Sequence, residues 1–268
     1  MTVSFHAMPA TPSAPLFEAI APEAAGMPLY RVVKRSLLNA IESGNCPPGE
    51  TLPSETEIAA AMGVSIGTLR RAVDELAAEH ILVRRQGRGT FVATHTTDRF
   101  LFQFFHVERE DGLREAPLVD LVSFERTRAE DEPAQALQLR SGEPVIRIEN
   151  RLRLQGCAVI YDRLTLPSML FKGLTEKRFR ERPGTIYQLY QSDFGISVLR
   201  ATERARADAA DRDAVRVLGL APGQPVMQVH RTALTFGDRP VEHRVSIINT
   251  AHHDYVNVLS RPPPGHHD

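Results

Sequence analysis

The chain has 268 residues, enough for two domains or one large one, and a formal net charge of −1 at pH 7. No overall basicity therefore advertises a nucleic-acid partner, although steering depends on local patches rather than on the total. The two cysteines, Cys46 and Cys157, exclude a disulfide framework and suit a reducing, cytoplasmic setting, and no apolar run approaches the roughly 18 residues of a membrane span.

The first 27 residues are rich in Ala and Pro and lack both a basic start and an apolar core, so a disordered arm is expected there rather than a signal peptide. A first helix is predicted from about Leu29 to Ser43, with Leu29, Val32, Val33, Leu37 and Ile41 as its stripe and Gly44 as its stop. Ser54 and Glu57 have the spacing of a capping box; Ile58, Ala59 and Met62 follow, and Gly63 ends the helix. Ser65 can cap the next helix, which buries Leu69, Ala72, Val73 and Leu76. Ile81-Leu82-Val83 and Thr90-Phe91-Val92 read as short strands around Arg84-Arg85-Gln86-Gly87-Arg88-Gly89, whose glycines permit a tight hairpin. Two short helices with a Gly-containing turn, followed by an arginine-bearing wing, make a winged helix-turn-helix, a device for reading DNA. The wing arginines cluster at the hairpin tip, whereas Lys34 is expected on a solvated face.

These residues resemble the GntR family of bacterial transcription regulators. The match runs through Pro28-Leu29-Tyr30, Pro48-Gly49, Leu52-Pro53-Ser54-Glu55, Val64-Ser65, Thr68-Leu69-Arg70 and Gln86-Gly87-Arg88-Gly89-Thr90-Phe91-Val92. Two positions depart from the family pattern: Ile66 stands where arginine often follows Val-Ser, and Thr56 where a basic residue is common. The resemblance and the local chemistry assign DNA contact to Arg35, Ser54, Glu55, Ser65, Ile66, Gly67, Thr68, Arg70, Arg71, Gln86, Gly87 and Arg88. Gly67 allows close backbone approach at a helix-propensity cost of about 1 kcal/mol. His80 replaces the glycine usual at the end of the second helix, a structural substitution.

From about Arg99 onward the chain repeats itself. Glu125-Arg126-Thr127-Arg128-Ala129 recurs as Glu203-Arg204-Ala205-Arg206-Ala207, and each copy leads into a short helical pattern. The turns Ser141-Gly142-Glu143-Pro144-Val145 and Pro222-Gly223-Gln224-Pro225-Val226 follow, and then two strands joined across Gly156 or Gly237. Two strand-helix-hairpin units predict one antiparallel sheet with helices on one side. This organisation resembles the UTRA domain, the ligand-sensing half of HutC-type GntR regulators, which implies a chorismate-lyase-like fold. The overall class is therefore α+β, an N-terminal winged helix-turn-helix joined to a C-terminal antiparallel-sheet α/β domain. Its parts are an arm (1–27), the DNA-binding domain (28–93), a linker (94–100), an effector-binding and dimerisation domain (101–259) and a loose tail (260–268).

Alternation along Val145–Leu154 puts Ile146, Ile148, Leu152 and Leu154 on one face and Arg147, Glu149, Arg151 and Arg153 on the other. Periodicity alone reads the second set as a solvated row; the resemblance implies that Arg151 and Arg153 hold an anionic group of the effector, as guanidinium forks do. Asp162 shares a face with Ile160, Leu164 and Leu166, where a carboxylate must be paired or ligand-bound; a pair with Arg151 or Arg153 is the alternative. Glu242 has the same two readings. Thr185 and Tyr187 begin a helix, so Thr185 serves as a cap, with ligand contact as an addition. After Glu242 the family often has a Tyr-Arg-Gly-Asp-like segment, whereas here the chain reads Ser246-Ile247-Ile248-Asn249-Thr250.

The expected partners are a double-stranded DNA operator, a small anionic effector and a second copy of the chain, with no membrane, metal, cofactor or catalytic residue. His252-His253-Asp254 and His266-His267-Asp268 do not assemble a metal site, because adjacent histidines on an extended segment face opposite ways. A homodimer would present its recognition helices about 34 Å apart to a palindromic operator. The alternatives are a lyase-like enzyme in the second domain, or a DNA-binding dimer without a ligand.

Overall fold

The structure, a computed structural model, describes residues 16–20, 26–97, 101 and 103–257. Most of the expected arm, and the expected tail with His266-His267-Asp268, lie outside the described residues. Within the arm the described segment is anchored rather than disordered: Phe17 is buried, and the Ile20 N–H donates to the Met62 carbonyl at 3.1 Å.

The chain divides into two compact units, 1–93 and 94–268. The first contains α1 (Leu29–Glu42), α2 (Glu55–Met62), α3 (Ile66–Ala78), β1 (Leu82–Arg85) and β2 (Gly89–Val92). The capping box forms as the spacing requires: Ser54 accepts from the Glu57 N–H, and Glu57 accepts from the Ser54 N–H at 2.8 Å. Those bonds from Ser54 hold the Glu57 carboxyl below the usual carboxylate range. Val33, Leu37 and Ile41 of α1 meet Leu69, Val73 and Leu76 of α3 in the core, each burial contributing about 1.5–3 kcal/mol. Lys34 corrects the expectation of a solvated lysine, since it bonds Glu75 at 2.9 Å and Glu79 at 2.5 Å and so ties α1 to α3. β1 and β2 pair antiparallel around Gln86–Arg88, and Gly87 and Gly89 take the positive φ angles of 70° and 101° that this tight turn needs.

The second unit contains β3 (Val107–Arg109), β4 (Leu118–Arg128), α4 (Asp131–Ala136), β5 (Pro144–Leu154), β6 (Cys157–Pro167), α5 (Glu176–Arg180) and α6 (Ile186–Phe194). Then come β7 (Arg200–Ala209), α7 (Arg212–Leu218), β8 (Pro225–Leu234), β9 (Pro240–Ile248) and β10 (His253–Tyr255). Six strands form one antiparallel sheet in the order β4-β5-β6-β9-β8-β7, so the two repeats meet at β6 and β9 in the middle. A two-residue hairpin, Gln155-Gly156 with both φ positive, joins β5 to β6. The sheet is covered on both faces, which corrects the expectation of helices on one side. α4 and α7, the helices of the repeats, bury Ala134, Ala214, Val217 and Leu218 against the outer face, at Val145, Tyr161 and Ile247. α5 and α6 come from the segment between the repeats and pack Phe179, Ile186, Leu189 and Tyr190 on the inner face, at Ile146, Ile148 and Leu164. Repeat comparison could not place them because they have no counterpart in either copy. Thr94–Thr97, expected as linker, packs into the second unit: His95 is buried, and its Nε2 accepts from the Val198 N–H at 3.0 Å.

Candidate functional site

In the first unit the capped start of α3 presents Ser65, Ile66, Gly67 and Arg70 to solvent beside half-exposed Thr68. Ser65 accepts from the Thr68 N–H at 3.1 Å, and the two hydroxyls meet at 2.8 Å, so both are fixed at the helix's positive end. Arg70 Nε donates to Glu55 Oε2 at 2.7 Å, while Glu55 Oε1 lies 3.5 Å from Arg84 of the wing. Arg84 also pairs with Asp74. Glu55 thus joins α2, α3 and the wing and holds Arg70 and Arg84 against them. Arg71 lies over the Tyr30 ring at 4.0 Å, and Arg85 over Phe91 at 4.8 Å. Arg35 on α1 and the tip residues Gln86, Gly87 and Arg88 are exposed. The result is a fixed basic surface around the first turn of α3 and the wing.

In the second unit the inner face of the sheet carries a buried ionic network. The register aligns Asn150, Asp162 and Ser246 across β5, β6 and β9, with Leu164 opposite Arg244 one step along. Asp162 Oδ1 accepts from Ser246 Oγ at 2.5 Å, and its Oδ2 accepts from Arg244 Nη1 at 3.2 Å. Arg244 also donates through Nε and Nη2 to Glu242, at 3.0 and 3.1 Å. Glu242, fully buried, accepts from the Tyr187 and Tyr190 hydroxyls at 3.2 and 2.7 Å. Burial, with Glu242 adding to it, pushes the Tyr187 phenol up to about 12. Burial works to lower the Arg244 guanidinium, but Glu242 and Asp162 outweigh it and hold it well above its ordinary value. Beside this network opens a cavity of about 180 Å³, lined by Asn150, Leu152, Asp162, Arg182, Thr185 and Arg244 among others. Thr185 caps α6, accepting from the Gln188 N–H at 3.2 Å, so the free amide donors of that helix start lie at the cavity wall. Two residues of this wall each hold a buried polar atom, the Asn150 carbonyl oxygen and Arg182 Nε, that has no hydrogen-bond partner among the described residues.

The GntR family of bacterial regulatory proteins matches residues 29–92, and the UTRA domain family matches residues 113–254, more than half of the chain. The chain belongs to the GntR family and carries a UTRA domain. It is 26% identical to the HTH-type transcriptional repressor NagR of Bacillus subtilis over 239 residues, covering 88% of this chain and 96% of that one. It is 29% identical to the histidine utilization repressor of Pseudomonas putida over 221 residues, 80% of this chain and 85% of that one. The crystal structure of the ligand-binding domain of a GntR-family regulator from Bordetella bronchiseptica is 35% identical, with a TM-score of 0.55, and covers 58% of this chain and 96% of that domain.

The expected effector residues of this UTRA domain are divided by the sheet. Asp162 and Thr185 line the cavity, with Tyr187 and Glu242 behind them, but Arg151 and Arg153 are on the other face. There they bond Asp120 of β4, Arg151 through Nε at 3.1 Å and Arg153 through Nη2 at 3.2 Å. The physical reason is the pleat: Arg151 lies opposite Tyr161, whose ring joins the outer cluster, whereas Asn150 and Leu152 point inward. Asp162 is accordingly paired with Arg244 rather than with either of these arginines. Four residues of the site escaped the sequence reading: Asn150, Arg182, Arg244 and Ser246. Asn150 was detectable, as the polar interruption between Ile148 and Leu152 on an otherwise apolar face. Arg244 follows Glu242 at the same two-residue period. Arg182, which lies in the segment between the repeats, left no such signal.

Proposed function

We propose that this protein is a transcriptional repressor whose hold on operator DNA is tuned by a compact metabolite bound in the Asn150–Arg182 cavity. The observation that carries this reading is a pair of cavity-lining residues, Asn150 and Arg182, each with a buried polar atom unpartnered among the described residues, one acceptor and one donor, beside a helix start. A ligand with an anionic group would meet Arg182 and the α6 amides, and a donor group on the same molecule would satisfy the Asn150 oxygen. About 180 Å³ is below the range of drug-sized pockets and favours a small polar molecule. The relatives' names, repressors in Bacillus and Pseudomonas, support repression as the sign.

The protein acts as a homodimer on a palindrome, with the first turn of α3 in the major groove and the Gly87-Arg88 tip reaching the neighbouring minor groove. Effector binding shifts the population of dimers competent to hold both half-sites. The domain acts as a sensor: among the described residues at the cavity, Asp162, Glu242 and Arg244 are committed to one another rather than to a substrate.

Fluorescence anisotropy on DNA from the protein's own upstream region tests this, with a scrambled duplex of equal length beside it at physiological salt. Tight saturable binding to the native duplex, released by a small anionic metabolite that is recovered unchanged, is the expected result. Equally weak, salt-sensitive binding to both duplexes would reject the operator reading, and turnover of the metabolite would reject the sensor reading.

A further inference from the structure

The outer face of the effector-domain sheet holds a cluster that this function leaves unused. Register places Thr232 opposite His243 and His230 opposite Val245, so the two histidines are diagonal neighbours on one face of β8 and β9, their ring centroids 6.2 Å apart. Glu132, in the first turn of α4, reaches them from above, with Oε1 2.7 Å from His230 Nδ1. One ligating atom from each of the three residues lies within 4.8 Å of the other two.

The hydrogen bonds around His230 fix its tautomer. Arg206 Nε donates to Gln228 Oε1 at 2.8 Å, which identifies that atom as the amide oxygen, and the same oxygen lies 2.9 Å from His230 Nε2. An oxygen only accepts, so Nε2 carries a proton. The other ring nitrogen, Nδ1, faces the Glu132 carboxylate across 2.7 Å, so both potential ligand atoms point into the same small space. Outer-side anchoring of this kind, with the remote ring nitrogen held by a fixed acceptor, is what orients a ligating histidine.

We infer that Glu132, His230 and His243 form a divalent metal site, with zinc the best match to a His₂-carboxylate set. Three protein ligands leave a fourth position, which opens onto a cavity of about 480 Å³ with room for water or a small ligand. A bound ion would tie α4 of the first repeat to β8 and β9 of the second. It would also hold His243 between Glu242 and Arg244, the residues that order the inner face, and so stiffen the strand on which the effector cavity depends.

The test uses the full-length chain after chelator treatment. Cobalt(II) titration reports coordination through visible bands, and zinc affinity is read by competition with a chromogenic chelator. The wild type should bind one equivalent with bands of low-symmetry, nitrogen-oxygen coordination. Glu132→Gln, at an exposed position, and His230→Gln should each weaken zinc at least as much as loss of an outer partner does, about tenfold or more, and remove the bands. His252→Ala should change neither. Binding that is absent, or identical in wild type and Glu132→Gln, would overturn the site and leave only a direct Glu132–His230 contact there. Loss of binding in His252→Ala would overturn it equally, by moving the metal elsewhere.

Discussion

The two units of this protein use the same arginine–carboxylate chemistry in opposite surroundings. In the winged helix the Glu55–Arg70 and Glu55–Arg84 pairs are largely exposed, where such pairs contribute about 0–1 kcal/mol and separate readily. In the UTRA domain the Asp162–Arg244–Glu242 chain is buried, and removing Arg244 strands its two carboxylates at a cost of about 3–5 kcal/mol. An exposed pair holds an arginine in place only loosely, and on the proposed reading yields it to a phosphate or base edge. A buried one fixes the geometry of a cavity wall and cannot be exchanged without disturbing the sheet. The reader is built for release of its ion pairs, and the sensor for their retention.

The largest effect should come from breaking the buried chain. Arg244→Ala leaves Asp162 and Glu242 buried without the cation they share, and should lower unfolding free energy by about 3–5 kcal/mol in urea titrations. A loss below about 1 kcal/mol would show that water reaches the network and that the contrast between the units is false. Arg182→Ala sharpens the comparison within the sensor. It removes one charge-assisted bond to the ligand, about 1.5–3 kcal/mol, so effector-driven release from DNA should need roughly tenfold to a hundredfold more ligand while operator affinity stays constant. Arg153→Ala, on the far face, should leave that response intact; loss of response there with Arg182→Ala silent would put the effector on the outer side of the sheet.

In the reader, Arg70→Ala should cost about 1–3 kcal/mol of operator binding, measured by anisotropy, with the unfolding midpoint almost unmoved. Glu55→Gln frees Arg70 and Arg84 and removes a negative charge beside the DNA. Both native and scrambled duplexes should then bind more tightly and the ratio between them should fall; an unchanged ratio would mean that Glu55 does not aim the arginines. The smallest effect is expected at His80, whose φ of 57° is left-handed. His80→Gly should stabilise the first unit by about 0.5–1 kcal/mol, the difference between left-handed strain and glycine's chain entropy.

The winged helix was legible from sequence nearly residue by residue, because its signals are local. Ser54 and Glu57 cap within one turn, Gly63 and Gly87 mark positive φ, and the Leu69–Leu76 spacing names the buried side of α3. Legibility fell where partners are distant in the chain. Lys34 finds Glu75 and Glu79 only because α1 packs on α3, and Arg244 finds Asp162 across 82 positions. The repeat in the second half predicted the strands and their turns but was silent on α5 and α6, which lie between the copies and build the inner wall.

By itself the sequence determined the kinds of unit, the faces of β5 and β6, and the positions that cap, turn or carry charge, since period, propensity and hydrogen-bond geometry act over a few residues. Tertiary structure decided which charges meet. The pleat sends Arg151 and Arg153 to the face opposite Asp162, and the central β6–β9 pairing brings Arg244 and Ser246 to it instead. A period of two fixes alternation within a strand, but only sheet order fixes what stands across from it.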